Sequence, residues 1–219
     1  MDGAPELTEL RLTAYWDHEE NPGAFLEVDL FQGNAPKLES LELSYLGLRN
    51  WGSNILSGLH DIHLHHIFCP STTDILAVLF LCPGIETLDI YDVRFQVAVS
   101  SSWEGGIYLP RLHKLRITEV EPGPKSMKSL LSAIRCPNTK EFICNCIQTW
   151  DTESLAATIT RFVAVTTSFS QAIRYQSGIE LDIGKTFGDK IRILSADSSV
   201  AFNLAFAPNI VRHVMSWVS

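Results

Sequence analysis

The chain has 219 residues, 46% of them hydrophobic and 19% charged, with a formal net charge of -8 and a pI near 5.3. That apolar fraction is enough for a continuous core and excludes a disordered chain, while the acidic balance argues against nucleic acid, whose phosphates call for clustered Lys and Arg. Met1-Asp2-Gly3-Ala4-Pro5-Glu6 is no basic segment ahead of an apolar run, and no apolar stretch approaches the ~20 residues of a membrane span. No signal peptide, no membrane contact and an intracellular location (cytoplasm or nucleus) are therefore expected.

Internal repetition dominates the first two thirds of the chain. The pattern P-x-L-x-x-L-x-L occurs at Pro5 and Pro36, at Pro110 with Ile117 in the last position, and at Pro83 with Ile85, Leu88 and Ile90 in the apolar positions. A copy without the proline carries Leu59, Ile62 and Leu64, and a degraded sixth follows Pro137 with Thr139, Phe142 and Cys144. First positions at 7, 38, 59, 85, 112 and 139 lie 31, 21, 26, 27 and 27 residues apart. That is close to the ~20 to 29 residues of leucine-rich repeats, in which each short strand needs a neighbour on either side to bury its inward side chains.

The connecting segments are uneven. Asn21-Pro22 and Gly33 punctuate a short helix over 24–32, and residues 46–57 read as a turn or one loose helical loop. Ser71 with Asp74 resembles a capping box, and Ile75, Val78, Leu79 and Cys82 follow at helical spacing, predicting a helix over 72–81. Residues 97–108 look irregular, and Met127, Leu130, Leu131 and Ile134 give a second helical stripe. The five cysteines form no disulfide framework; Cys82 and Cys136, each directly before a repeat-opening proline, read as small apolar residues ending a helix.

The repeat region closes near residue 150. Over 151–219 a helix carrying Leu155, Ile159, Phe162 and Val163 precedes three alternating strands at Ile179–Ile183, around Ile191 and Ile193, and at Phe202–Phe206. A helical stripe from Ile210 to Val218 follows Pro208. It has no polar cap, which suggests a fragment of a longer protein. Periodicity leaves open whether these strands extend the repeat sheet or form a separate meander.

Asn34-Ala35-Pro36-Lys37-Leu38-Glu39-Ser40-Leu41-Glu42-Leu43, Ile55-Leu56-Ser57-Gly58-Leu59 and Phe80-Leu81-Cys82-Pro83-Gly84-Ile85-Glu86-Thr87-Leu88 carry a likeness. Over residues 5–146 the chain resembles the leucine-rich repeat region of fungal F-box proteins. The resemblance implies an α/β, horseshoe-like solenoid with a parallel strand layer inside and irregular helices and loops outside. It further implies substrate recognition within a cullin-based ubiquitin ligase. The helical F-box that contacts the adaptor Skp1 would precede Pro5, so Skp1 is a partner only if such a segment stands upstream.

In L-x-x-L-x-L the residues flanking the last two apolar positions face away from the core. The middle row reads Arg11, Glu42, His63, Asp89, Arg116, Ile143, flanked by Glu9, Ser40, Asp61, Thr87, Lys114, Glu141 and by Thr13, Ser44, His65, Tyr91, Thr118, Asn145. Arg11, Glu42, Asp61, His63, His65, Asp89, Tyr91, Lys114 and Arg116 are the candidate protein-binding residues; a plain ladder of charge pairs is the competing account.

His60, His63, His65 and His66 with Cys69 invite a metal reading, and the third repeat is the place for any metal-dependent or hydrolytic activity. Strand geometry counts against that set, since His66 and Cys69 fall beyond the strand, and no metal or other cofactor is expected. Cys144-Asn145-Cys146 lacks C-x-x-C spacing. Gly184-Lys185-Thr186 lacks the upstream glycine of a phosphate loop, as Ile179 stands there, and no G-x-S-x-G elbow presents a nucleophile. The sequence therefore reads as a non-enzymatic interaction module, with a repeat scaffold lacking independent function as the alternative.

Overall fold

A computed structural model describes residues 3–14, 24–26, 30–97, 106–118, 129–145, 179–183, 189–194 and 201–206. In chain order the strands are β1 (Glu9–Thr13), β2 (Ala24–Leu26), β3 (Ser40–Ser44), β4 (Leu46–Leu48), β5 (Asp61–His65), β6 (Phe68–Ser71), β7 (Thr87–Tyr91), β8 (Arg94–Val97), β9 (Ile107–Tyr108), β10 (Lys114–Thr118), β11 (Ile134–Arg135), β12 (Glu141–Asn145), β13 (Ile179–Ile183), β14 (Asp189–Leu194) and β15 (Ala201–Phe206). Helix α1 (Thr72–Leu81) lies between β6 and β7, and residues 129–133 are also helical.

The fold is mixed α/β, built on an open sheet in the order β1-β3-β5-β7-β10-β12-β15-β14-β13. The first six strands run parallel and in unbroken register, so Leu10, Leu41, Ile62, Leu88, Leu115 and Phe142 form one row and Leu12, Leu43, Leu64, Ile90, Ile117 and Cys144 the next. From Leu41 to Phe142 the first row is buried, whereas Leu10 and Leu12 on the edge strand are only partly covered. Strand β15 joins β12 in parallel, and β14 and β13 follow antiparallel. The C-terminal strands thus both extend the sheet and form a meander.

Backbone chemistry explains the recurring proline. In Ala4-Pro5-Glu6-Leu7, Ala35-Pro36-Lys37-Leu38, Cys82-Pro83-Gly84-Ile85, Leu109-Pro110-Arg111-Leu112 and Cys136-Pro137-Asn138-Thr139 the fourth N–H donates to the first carbonyl at 3.1 to 3.4 Å. Proline occupies the second position of each turn, where its fixed φ is already correct. The third repeat substitutes Ser57-Gly58, with Gly58 at φ +83, a value glycine adopts without a Cβ clash. After each turn one carbonyl accepts two N–H groups from the next repeat: Thr8 from Glu39 and Ser40, Glu39 from His60 and Asp61, His60 from Glu86 and Thr87, Glu86 from His113 and Lys114, and His113 from Lys140 and Glu141. These joints set the register.

Helix α1 forms where its signals predict it. Ser71 Oγ accepts the Asp74 N–H at 3.2 Å while its hydroxyl donates to the Asp74 carboxylate at 2.6 Å. Ile75, Leu76, Val78 and Leu79 are buried, and Cys82-Pro83 ends the helix. The Cys82 thiol, also buried, donates to the Leu56 carbonyl at 2.8 Å. Cys136 is buried too, but β11 separates it from the helical residues 129–133, so it opens a turn rather than ending a helix.

The outer layer departs from expectation. Ala24–Leu26 is a strand paired in parallel with Leu46–Leu48, not the start of a helix, and Leu30–Gly33 is a 3-10 turn with Phe31 and Gln32 at positive φ. Comparable short parallel pairs form between β6 and β8 and between β9 and β11. The 46–57 segment is half as expected, with Asn54–Leu56 a 3-10 turn but Leu46–Leu48 a strand. Both ends of 97–108 are strand, and Ile134 leaves the helical stripe to pair with Ile107. Helical positioning of Met127, Leu155 to Val163 and Ile210 to Val218 falls outside the described residues, as does Gly184-Lys185-Thr186. No helix among the described residues is long and apolar enough to cross a membrane.

Candidate functional site

Strand alternation turns one set of side chains away from the core, and the register aligns them: Arg11, Glu42, His63, Asp89, Arg116 and Ile143 stand in one cross-strand row. Glu9, Ser40, Asp61, Thr87, Lys114 and Glu141 flank it on one side, and Thr13, Ser44, His65, Tyr91, Thr118 and Asn145 on the other. All nine candidate binding residues therefore belong to this one face. Most are half-buried, Arg11 is exposed, and Asp89 is buried.

Ion pairs run along the row. Arg11 bonds Glu9 on its own strand and lies 3.5 Å from Glu42. The hydrogen bond from Glu9, then the charges of Glu9 and Glu42, raise the Arg11 guanidinium above its ordinary pKa. Arg116 spans two strands, 3.3 Å from Asp89 and 3.6 Å from Glu141, and Lys114 lies 3.8 Å from Glu141. At their exposure the Arg116 and Lys114 pairs each contribute a few tenths to about 1 kcal/mol. The ladder is thus real, but too weak to account for the fold.

The centre of the row differs in kind. His63 Nδ1 and His65 Nε2 converge on Asp89 Oδ2 from 4.0 and 3.9 Å, too far for hydrogen bonds. The three ligand-type atoms lie within 4.8 Å of one another. Asp89 Oδ1 is buried and has no hydrogen-bond partner among the described residues. Desolvating a carboxylate is costly unless its oxygens are satisfied, and the one 3.3 Å contact from Arg116 satisfies only Oδ2.

At the C-terminal ends of the strands, Tyr45, His66 and Asp92 each take positive φ, at 58, 52 and 47°. Their N–H groups donate to His65, Tyr91 and Thr118 carbonyls, continuing the ladder one residue before the chain turns away. For non-glycine residues this conformation costs about 1 kcal/mol or more each. Side chains offset it: Tyr45 stacks on His66 with ring centroids 4.6 Å apart, and His66 Nδ1 lies 2.8 Å from Asp92 Oδ2. Tyr91 packs edge-on against His66 at 4.9 Å and His65 at 6.2 Å.

The histidine run therefore divides. His63 and His65 meet Asp89 on the next strand, His66 meets Asp92, and His60 sits against Gly84. The run from His60 to Cys69 omits Asp89, although the row sets it beside His63. The left-handed trio of Tyr45, His66 and Asp92 gives only a weak local signal, since His and Asp are enriched at positive φ but none of the three is Gly. No protein-family model, no curated protein and no solved structure matches the chain.

Proposed function

We propose that the chain is a leucine-rich repeat scaffold whose polar sheet face binds a protein partner, without catalysis, inside the cell. Six parallel strands recur at the spacing of the repeat, and β3, β5, β7 and β10 each turn two branched apolar residues inward and a polar set outward. The observation that carries the reading is the alignment of Arg11, Glu42, Asp61, His63, His65, Asp89, Tyr91, Lys114 and Arg116 on one face by register alone. A surface mixing both charges with an aromatic side chain suits a specific protein interface, where Tyr and Arg serve as anchors. Substrate recognition for a cullin-type ubiquitin ligase fits such a surface, with Skp1 a partner only if an F-box precedes this chain.

The test is affinity capture from a cell lysate with the wild-type chain and with a triple variant, Asp61→Lys, Tyr91→Ala and Lys114→Glu. These substitutions touch the face but no core position. A protein retained by the wild type should be lost or weakened at least tenfold in the variant. Equal capture by both would refute binding through this face.

A further inference from the structure

We propose that His63, His65 and Asp89 form a binding site for a single first-row divalent transition-metal ion of the zinc class. The inference does not depend on a protein partner. It starts from strand geometry: His63 and His65 are two apart on β5 and share a face, and Asp89 on β7 is the register partner of His63. Two imidazoles from one strand and a carboxylate from its neighbour thus meet at the vertices of a small triangle. The hydrogen-bonded backbone of β5 and β7 holds them there before any ion arrives.

Three observations separate this cluster from an ordinary surface charge pair. Asp89 is buried, at 6% exposure, so its carboxylate has given up most of its water. Its Oδ1 has no partner among the described residues, and its Oδ2 receives only the 3.3 Å contact from Arg116. The imidazole nitrogens stand at 4.0 and 3.9 Å, close enough to converge and too distant to hydrogen-bond. One cation bound between them engages the carboxylate and both rings together.

The dimensions suit such an ion. Nitrogen and oxygen ligands at 2.0 to 2.1 Å from a tetrahedral zinc are about 3.3 Å apart, so the two edges to Asp89 Oδ2 close by roughly 0.6 Å and the edge between the imidazole nitrogens, which is within 4.8 Å, by up to about 1.5 Å through side-chain rotations. Two nitrogen donors and one carboxylate select zinc, iron(II), cobalt or nickel over calcium and magnesium, which take oxygen ligands. Three protein ligands leave at least one coordination position, directed off the sheet face, for water or a donor atom of another molecule. Arg116 lies on β10, across Asp89 from the histidines, where it positions the carboxylate and competes electrostatically with the cation.

The experiment titrates the full chain, freed of metal by chelation, with Co²⁺ and then Zn²⁺. It reads cobalt ligand-field absorption and zinc stoichiometry by competition with a chromophoric chelator. One equivalent should bind, with visible cobalt bands, and His63→Ala, His65→Ala and Asp89→Asn should each weaken binding more than tenfold. His60→Ala should bind as the wild type does. Arg116→Met should bind more tightly, by a factor of about three or more, and this keeps the proposal falsifiable if a ligand variant fails to fold. Absence of saturable uptake, uptake unchanged by His65→Ala or Asp89→Asn, or no gain in Arg116→Met would each overturn the assignment.

Discussion

Gly47 offers a sharp test of how the outer strands meet. It is paired with Phe25 between β2 and β4, and a Cβ placed on it would lie 2.7 Å from the Phe68 carbonyl oxygen and 2.9 Å from Phe25 Cε1. The phenyl ring can swing aside, but the Phe68 carbonyl belongs to β6, which is held by β8. Gly47→Ala therefore forces a backbone shift, an overpacking cost of about 1 to 3 kcal/mol. The lower entropy of the unfolded alanine chain returns about 0.4 to 1 kcal/mol, leaving a net loss of about 1 to 2 kcal/mol. With a urea slope of about 2 kcal/mol/M, the middle of the usual range, the unfolding midpoint should fall by roughly 0.5 to 1 M.

Gly52→Ala is the control, because its Cβ would meet nothing closer than 3.5 Å. Its midpoint should stay within about 0.3 M of wild type or rise. Phe25→Leu added to Gly47→Ala should recover only a minor part of the loss, since the Phe68 carbonyl remains. Urea unfolding followed by circular dichroism reads all four proteins. A Gly47→Ala chain as stable as wild type would refute the packing argument.

Burial raises the Cys136 thiol to about 12 and the Cys82 thiol above its ordinary value. Since the thiolate is the nucleophile, iodoacetamide at pH 8 should label both in urea and neither in the native chain, as read by peptide mass spectrometry. For Cys136 the protonated form is favoured in the folded state, so its contribution is complete below pH 9 and lost as pH rises from 9 toward 12. Cys136→Ala should accordingly show a shallower fall in urea midpoint over that range. Thr139, fully buried, shares its hydroxyl between the Leu112 and Cys136 carbonyls at 3.1 and 3.2 Å. Thr139→Val keeps the shape, removes the donor and should cost about 1 kcal/mol; an unchanged midpoint would show that neither carbonyl needs it.

The six repeat strands were legible because their signal is local. Leu41 with Leu43, Ile62 with Leu64 and Leu88 with Ile90 alternate within five residues, and that alternation fixes both the core face and the register of the polar rows. The outer layer was not legible, since Ala24-Phe25-Leu26 is a strand only because Leu46-Gly47-Leu48 lies beside it, and that partner is 22 residues away. Helical punctuation at Asn21-Pro22 and Gly33 pointed elsewhere. At the candidate site the row placed Asp89 next to His63, but its burial and its orphaned oxygen are properties of packing that residue spacing does not encode.

Successive repeats differ in length from 21 to 31 residues, yet the sheet register runs from β1 to β12 without a slip. The joints that hold it are main-chain carbonyls at Thr8, Glu39, His60, Glu86 and His113, whose acceptance of two N–H groups is indifferent to the side chain present. The architecture therefore keeps two alphabets apart. Apolar letters at alternate strand positions write the fold, and most of the letters between them are free to be rewritten. Insertions gather in the connections, and a new surface can arise by point substitution on a backbone that stays as it is.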